Sequence, residues 1–114
     1  MNEAQSKIQV IGSPNFDATV LQVQGRVAVE FMSYGCGHCR AIEPALQKVA
    51  QSIEADETIV RVDIAADPGL AKAYQIAGTP TFVMFLNGDE AGRAEGPEPD
   101  YESVLEAVTG PFVT

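Results

Sequence analysis

Tyr34-Gly35-Cys36-Gly37-His38-Cys39-Arg40 holds both cysteines of the 114-residue chain and its only histidine. Immediately before it, Arg26-Val27-Ala28-Val29-Glu30-Phe31-Met32 is an apolar, β-branched run, the pattern of a buried strand. Immediately after it, Ile42, Ala45, Leu46, Val49, Ala50 and Ile53 recur at three- and four-residue steps, the apolar stripe of a helix. The two thiols therefore sit where a strand turns into a helix, with Cys36 near the helix N-terminus.

That position has chemical consequences. The first turn of a helix presents unpaired N–H groups and a partial positive charge. A thiolate there is stabilised, so the Cys36 pKa is expected below the free value of about 8.5. Cys39, three residues on, shares the helix face and can form a disulfide with Cys36. A protonated His38 nearby favours the thiolate further. Cys36 then reads as the nucleophile and Cys39 as the resolving thiol that releases a mixed disulfide. Two other readings stay open at this level. One is a zinc site, which usually takes four ligands where this chain offers two cysteines and one histidine, unless the metal is shared across a dimer. The other is a structural disulfide, which would close a very short loop for little entropic gain. The strand–helix context favours redox chemistry and no metal.

Composition narrows the partners. A chain of this length reads as one domain spanning residues 1–114, and 46% hydrophobic residues suffice for a core. The net charge of −9 argues against nucleic acid and against an anionic membrane surface. No apolar run reaches the length of a spanning helix. Met1 to Lys7 has no signal-peptide core, and one CxxC is no secreted disulfide scaffold, so a cytoplasmic monomer is expected. Seven of the sixteen acidic residues lie between Asp89 and Glu106, the pattern of a solvated face.

The rest of the chain alternates strand and helix signals. Lys7 to Ile11 alternates polar and apolar residues as a short strand. Ser13-Pro14 reads as a cap and first helical residue, Phe16, Val20, Leu21 and Val23 as the apolar side of that helix, and Gly25 as its stop. The helix after the cysteines is expected to kink at Pro44 and to end between Ser52 and Ala55. Thr58 to Ile64 is a strand. Asp67-Pro68 starts a helix with Leu70, Ala73 and Tyr74 on its apolar side, and Gly78-Thr79-Pro80 breaks it. Thr81 to Leu86 is a strongly apolar strand, and Asn87-Gly88 turns it into an antiparallel return over 90–95. Gly96-Pro97-Glu98-Pro99 connects to a last helix from Asp100, with Tyr101, Val104, Leu105 and Val108 on one face and Gly110-Pro111 as its end. The order β-α-β-α-β-α-β-β-α predicts an α/β fold, a central mixed sheet flanked by helices.

These residues resemble the thioredoxin family over nearly the whole chain. The resemblance rests on the strand before Cys36-Gly37-His38-Cys39, on Pro44, on Gly78-Thr79-Pro80-Thr81, on Asn87-Gly88, on Gly96 and on the final helix. It implies a thioredoxin fold and thiol–disulfide exchange on protein disulfides, with no cofactor beyond the redox-active Cys36–Cys39 pair and electrons supplied by a reductase. It implies a cis Pro80 beside the thiols, with the Thr79 backbone pairing with a substrate strand. Tyr34, Gly35, Gly37 and Gly96 complete the expected substrate surface. Glu30 stands where thioredoxins carry an aspartate and disulfide isomerases a glutamate, and so becomes the expected proton acceptor for Cys39, with a pKa raised by burial. Arg61 matches a buried lysine and is expected to pair with Glu30 and oppose that rise. The sequence also departs from the family. Gly35 replaces the usual tryptophan, Met32 an aromatic, and Gly37-His38 is the isomerase dipeptide rather than glycine-proline. A histidine there favours the reduced form, so the potential is expected to be more oxidising than that of an ordinary thioredoxin. An oxidase or isomerase, or a non-catalytic binding module, is the alternative.

Overall fold

The computed structural model describes residues 8–53 and 57–112. Arg26–Met32 forms the central strand β2. It pairs in parallel with β3 (Glu57–Asp63) and antiparallel with β4 (Thr81–Leu86). β1 (Gln9–Val10) lies parallel outside β3, and β5 (Asp89–Glu95) antiparallel outside β4, giving the order β1-β3-β2-β4-β5. A strand with neighbours on both edges and helices on both faces has no solvated side, which is why β2 is a continuous apolar run. Every residue from Val27 to Met32 is buried.

The two-residue period of the strands divides the core. Ala28, Phe82 and Met84 face α2 (Gly37–Ser52) and α4 (Tyr101–Thr109), where Ile42, Leu46, Val49, Val104 and Val108 close the layer. Val27, Val29, Phe31, Val60, Val62, Val83 and Phe85 face the other way, toward α1 (Ser13–Phe16) and α3 (Pro68–Ala73). There the Tyr74 ring packs between Phe16 and Phe85, with ring centres 5.4 and 5.7 Å away. Glu30 and Arg61 fall on the α2 side as register partners across β2 and β3, which fixes where the site's charges lie.

The β4–β5 turn uses Asn87 (φ 52°) and Gly88 (φ 87°), both left-handed as a two-residue hairpin requires. Asn87 also ties the hairpin to the turn that feeds β2. Its amide donates to the Gly25 carbonyl at 2.8 Å, and its Oδ1 accepts from the Gly25 amide at 2.8 Å.

Several expected elements differ in detail. The first strand shortens to Gln9–Val10, and Met1 to Lys7 lie outside the described residues. Gly12, not Ser13, occupies the cap position of α1, because Ser13 turns its amide and hydroxyl to Asp67 Oδ2, each at 2.7 Å. Past Phe16 the helix widens into a π-helical segment, Asp17–Leu21. α2 runs through Pro44 without interruption and ends at Ser52; Ala55 lies outside the described residues. On α3 the buried alanine is Ala71, while Ala73 is exposed. Gly110-Pro111 does not stop the chain's helical course, which continues as a 3₁₀ turn over Gly110–Phe112, since proline's fixed φ suits a helical turn.

Candidate functional site

Cys36 is the N-cap of α2, with extended backbone (φ −84°, ψ 118°). Its sulfur occupies the place a capping oxygen usually takes and accepts the Cys39 N–H at 3.1 Å. The same sulfur lies 3.5 Å from the Thr79 carbonyl, on the loop that leads into β4. Cys36 is partly exposed, whereas Cys39, one helical turn on, is 3% exposed.

The pKa values of the two thiols are shifted in opposite directions. Partial burial pushes the Cys36 thiol up, but hydrogen bonding with the Cys39 thiol, with Thr79 and with the Cys39 and His38 amides outweighs it, and the net shift is downward. Cys39 goes the other way. Its burial, its bond to Cys36 and the charge there push it up to about 11. At neutral pH the pair therefore holds one sulfur poised to ionise and one that keeps its proton.

The peptide bond Thr79-Pro80 is cis, and Pro80 is buried. Thr81 Oγ1 donates to the Gly78 carbonyl at 2.7 Å, and the Gly96 amide donates to the Pro80 carbonyl at 2.9 Å. Gly78, Thr79, Pro80, Thr81, Glu95 and Gly96 line an open groove of about 240 Å³. Gly96 has φ 53°, and a Cβ there would stand 3.2 Å from His38 Cε1, so the imidazole packs on this glycine. His38 Nε2 donates to the Pro97 carbonyl at 2.8 Å. A carbonyl oxygen can only accept, so Nε2 carries the hydrogen. The ring thus engages the β5–α4 connector, and it is the His38 backbone amide that bonds Cys36. Tyr34, Gly35 and Gly37 are exposed around Cys36, and the Arg40 guanidinium donates to the Tyr34 carbonyl at 2.9 Å.

A charge cluster lies between the sheet and α2. Glu30 is fully buried, with Oε1 accepting from Arg61 Nε at 3.0 Å. Arg61 Nη2 donates to Glu43 Oε1 at 2.6 Å. Burial pushes the Glu30 carboxyl up to about 7; Arg61 opposes this and Glu43 reinforces it. Burial pulls the Arg61 pKa down, but the attraction of Glu30 and Glu43 overrides it and the guanidinium stays charged. Met32, Ser33, Tyr34, Cys39, Arg40, Glu43 and Arg61 line a cavity of about 210 Å³ over this cluster. No group of three or more His, Cys, Asp or Glu side chains among the described residues is arranged to hold a metal ion. No helix among them is long and apolar enough to cross a membrane.

The structure thus gathers Cys36, Cys39, Thr79 and Pro80 in one place, sets Arg61 in the cavity that Cys39 lines with Glu30 bonded behind it, and packs His38 on Gly96. Pro44 stands apart, exposed on α2. Sequence reasoning passed over Glu43 and Pro97. Glu43 was findable, since it lies four residues after Cys39 and so on the same helix face. The His38 acceptor is a backbone carbonyl 59 residues away and leaves no signal in residue types.

A thiol pair that caps a helix beside a cis X–Pro turn, on a mixed sheet of this strand order, defines a thioredoxin-fold protein. The thioredoxin family model matches residues 7–108, and the chain belongs to that family. It is 37% identical over 91 residues to thioredoxin X, chloroplastic, of Arabidopsis thaliana, covering 78% of this chain and 50% of that protein. It is 36% identical over 90 residues to protein disulfide isomerase-like 2-2 of Oryza sativa subsp. japonica, covering 77% and 24%. It is 35% identical over 119 residues to protein disulfide-isomerase of Oryctolagus cuniculus, covering 98% and 23%. The chain therefore spans half the length of the first relative and about a quarter of the other two.

Proposed function

We propose that the chain is a thiol–disulfide oxidoreductase that reduces protein disulfides, with Cys36 as nucleophile and Cys39 as resolving thiol. The observation that carries this reading is the asymmetry of the pair, an accessible Cys36 with a lowered pKa one turn from a buried Cys39 with a raised one. The Cys36 thiolate attacks a substrate sulfur, forming a mixed disulfide and expelling the first substrate thiolate. Cys39 then gives its proton to Glu30 and attacks Cys36 Sγ. The Cys36–substrate bond breaks, the second substrate sulfur leaves as a thiolate with the electron pair, and Cys36–Cys39 closes. The groove at Thr79 and Pro80 suits an extended substrate whose backbone pairs with Thr79. No cofactor beyond the thiol pair is required, and a reductase returns it to the dithiol.

The dipeptide Gly37-His38 favours a second reading, in which the protein shuffles or donates disulfides. The two differ in the reduction potential, near about −270 mV for thioredoxin and about −180 mV for protein disulfide isomerase. We expect a value between them, measured by equilibration with glutathione. Insulin reduction tests the activity itself. Cys36→Ser should abolish it, and Cys39→Ser should accumulate mixed disulfides with substrate. No insulin reduction by the native chain, or no trapped substrate in Cys39→Ser, would sink the assignment.

A further inference from the structure

An arginine commonly clasps a carboxylate with two parallel N–H bonds, and Nε and Nη2 on one edge of the guanidinium form such a fork. Arg61 has that edge directed at buried Glu30, its register partner across the sheet, yet only Nε reaches it. Nη2 is taken by Glu43 from α2. Glu30 Oε2 is consequently buried with no hydrogen-bond partner among the described residues. A fully buried carboxylate oxygen without a partner is costly and calls for a reason. Here it is the one strong acceptor left open beneath the cavity that Cys39, Glu43 and Arg61 share. Glu30 sits two residues before cavity-lining Met32, on the same strand face.

The geometry points to Glu43 as a positioning residue for proton transfer from Cys39: by occupying Arg61 Nη2 it splits the guanidinium fork and keeps Glu30 Oε2 open to receive the proton. This inference rests on the proposed function, since it refines the resolving step. The charged groups acting on Glu30 are Arg61 from β3 and Glu43 from α2. β4 sets Phe82 opposite it, and α4 adds Val104 and Val108 to that side of the sheet. Both effects of Glu43 act in one direction. Its charge disfavours a second carboxylate, and its bond withholds a donor that would stabilise one.

Two variants separate these effects. Glu43→Ala frees Nη2 to close on Glu30, while Glu43→Gln removes the charge but keeps an oxygen to accept from Nη2. Glu43 is partly exposed on α2, and both replacements suit a helix. The experiment uses the full chain. The titration of the ¹³C-labelled Glu30 carboxyl is followed by NMR in the reduced protein. The two thiolate releases from an aromatic disulfide probe are timed across pH, the first reporting attack by Cys36 and the second resolution by Cys39.

In Glu43→Ala the Glu30 midpoint should move to lower pH by roughly tenfold in proton affinity. The pH profile of the second release should move with it, and Glu43→Gln should show a smaller displacement. Unmoved midpoints, or equal displacements in the two variants, would overturn the fork-splitting role. Absence of both releases from the native chain would instead overturn the proposed function.

Discussion

His38 contributes to the site through two different atoms. Its Nε2–H is bound to the Pro97 carbonyl, and its backbone amide helps hold the Cys36 pKa down. His38→Pro removes both, while proline remains tolerable in the first turn of a helix. The reduction potential should therefore fall by tens of millivolts, about 30 mV corresponding to a tenfold change in the exchange equilibrium. His38→Ala keeps the amide and should fall by less. Glutathione equilibration of the three proteins checks the order, and a rise in His38→Pro would refute this account. The thiols were legible in the sequence because their spacing is a local signal, whereas Pro80 read by itself only as a helix breaker and gained its place beside them through the family resemblance. What Glu43 does was not, because an acidic residue beside an apolar helix stripe looks like any solvated one until Arg61 is placed opposite.

The hairpin between β4 and β5 shows how much of an element local chemistry dictates. Asn87-Gly88 announces the turn, and the left-handed backbone of both residues follows from the twist of the strands. What the dipeptide does not announce is its neighbour. A Cβ on Gly88 would overlap the Leu21 carbonyl oxygen at the end of the π-helical segment. Gly88→Ala should thus cost more than backbone strain alone, about 2–4 kcal/mol when overpacking against a fixed carbonyl is included. Urea unfolding measures it; a loss below about 1 kcal/mol would mean that the segment yields easily. That segment was itself illegible. Phe16, Val20 and Val23 fit an ordinary helical stripe, and neither the widening after Phe16 nor the turn of Ser13 toward Asp67, 54 residues on, leaves a local signal.

Across the whole molecule, the sequence of elements and the mixed sheet flanked by helices were legible because the β2, β3 and β4 runs are strongly apolar and separated by capped helices. The register between β2 and β3 was not, since facing and alignment of short apolar strands are tertiary properties. That register places Glu30 where its titration bears on global stability. Its carboxyl titrates near 4.5 when unfolded and about 7 when folded. Between those values the folded chain binds more protons, so stability held below the lower value is lost as pH rises through the higher one. The displacement corresponds to a contribution on the order of 3 kcal/mol. Urea unfolding at pH 5 and pH 8 should show a smaller loss between the two for Glu30→Gln than for the native chain. Equal losses would show that Glu30 is not the group responsible.

The Glu30–Arg61 pair has one further consequence, for folding. Around these two residues, Val27, Ala28 and Val29 on β2 and Ile59, Val60 and Val62 on β3 are similar apolar side chains, which alone would tolerate sliding by one pleat. Sliding by two residues would set Ile59 or Asp63 beside Glu30 in place of Arg61. A buried carboxylate stripped of its partner costs roughly 3–5 kcal/mol, so each shifted alignment is penalised at one point in its centre. The charges that serve the thiols thereby also act as a key that admits a single strand alignment.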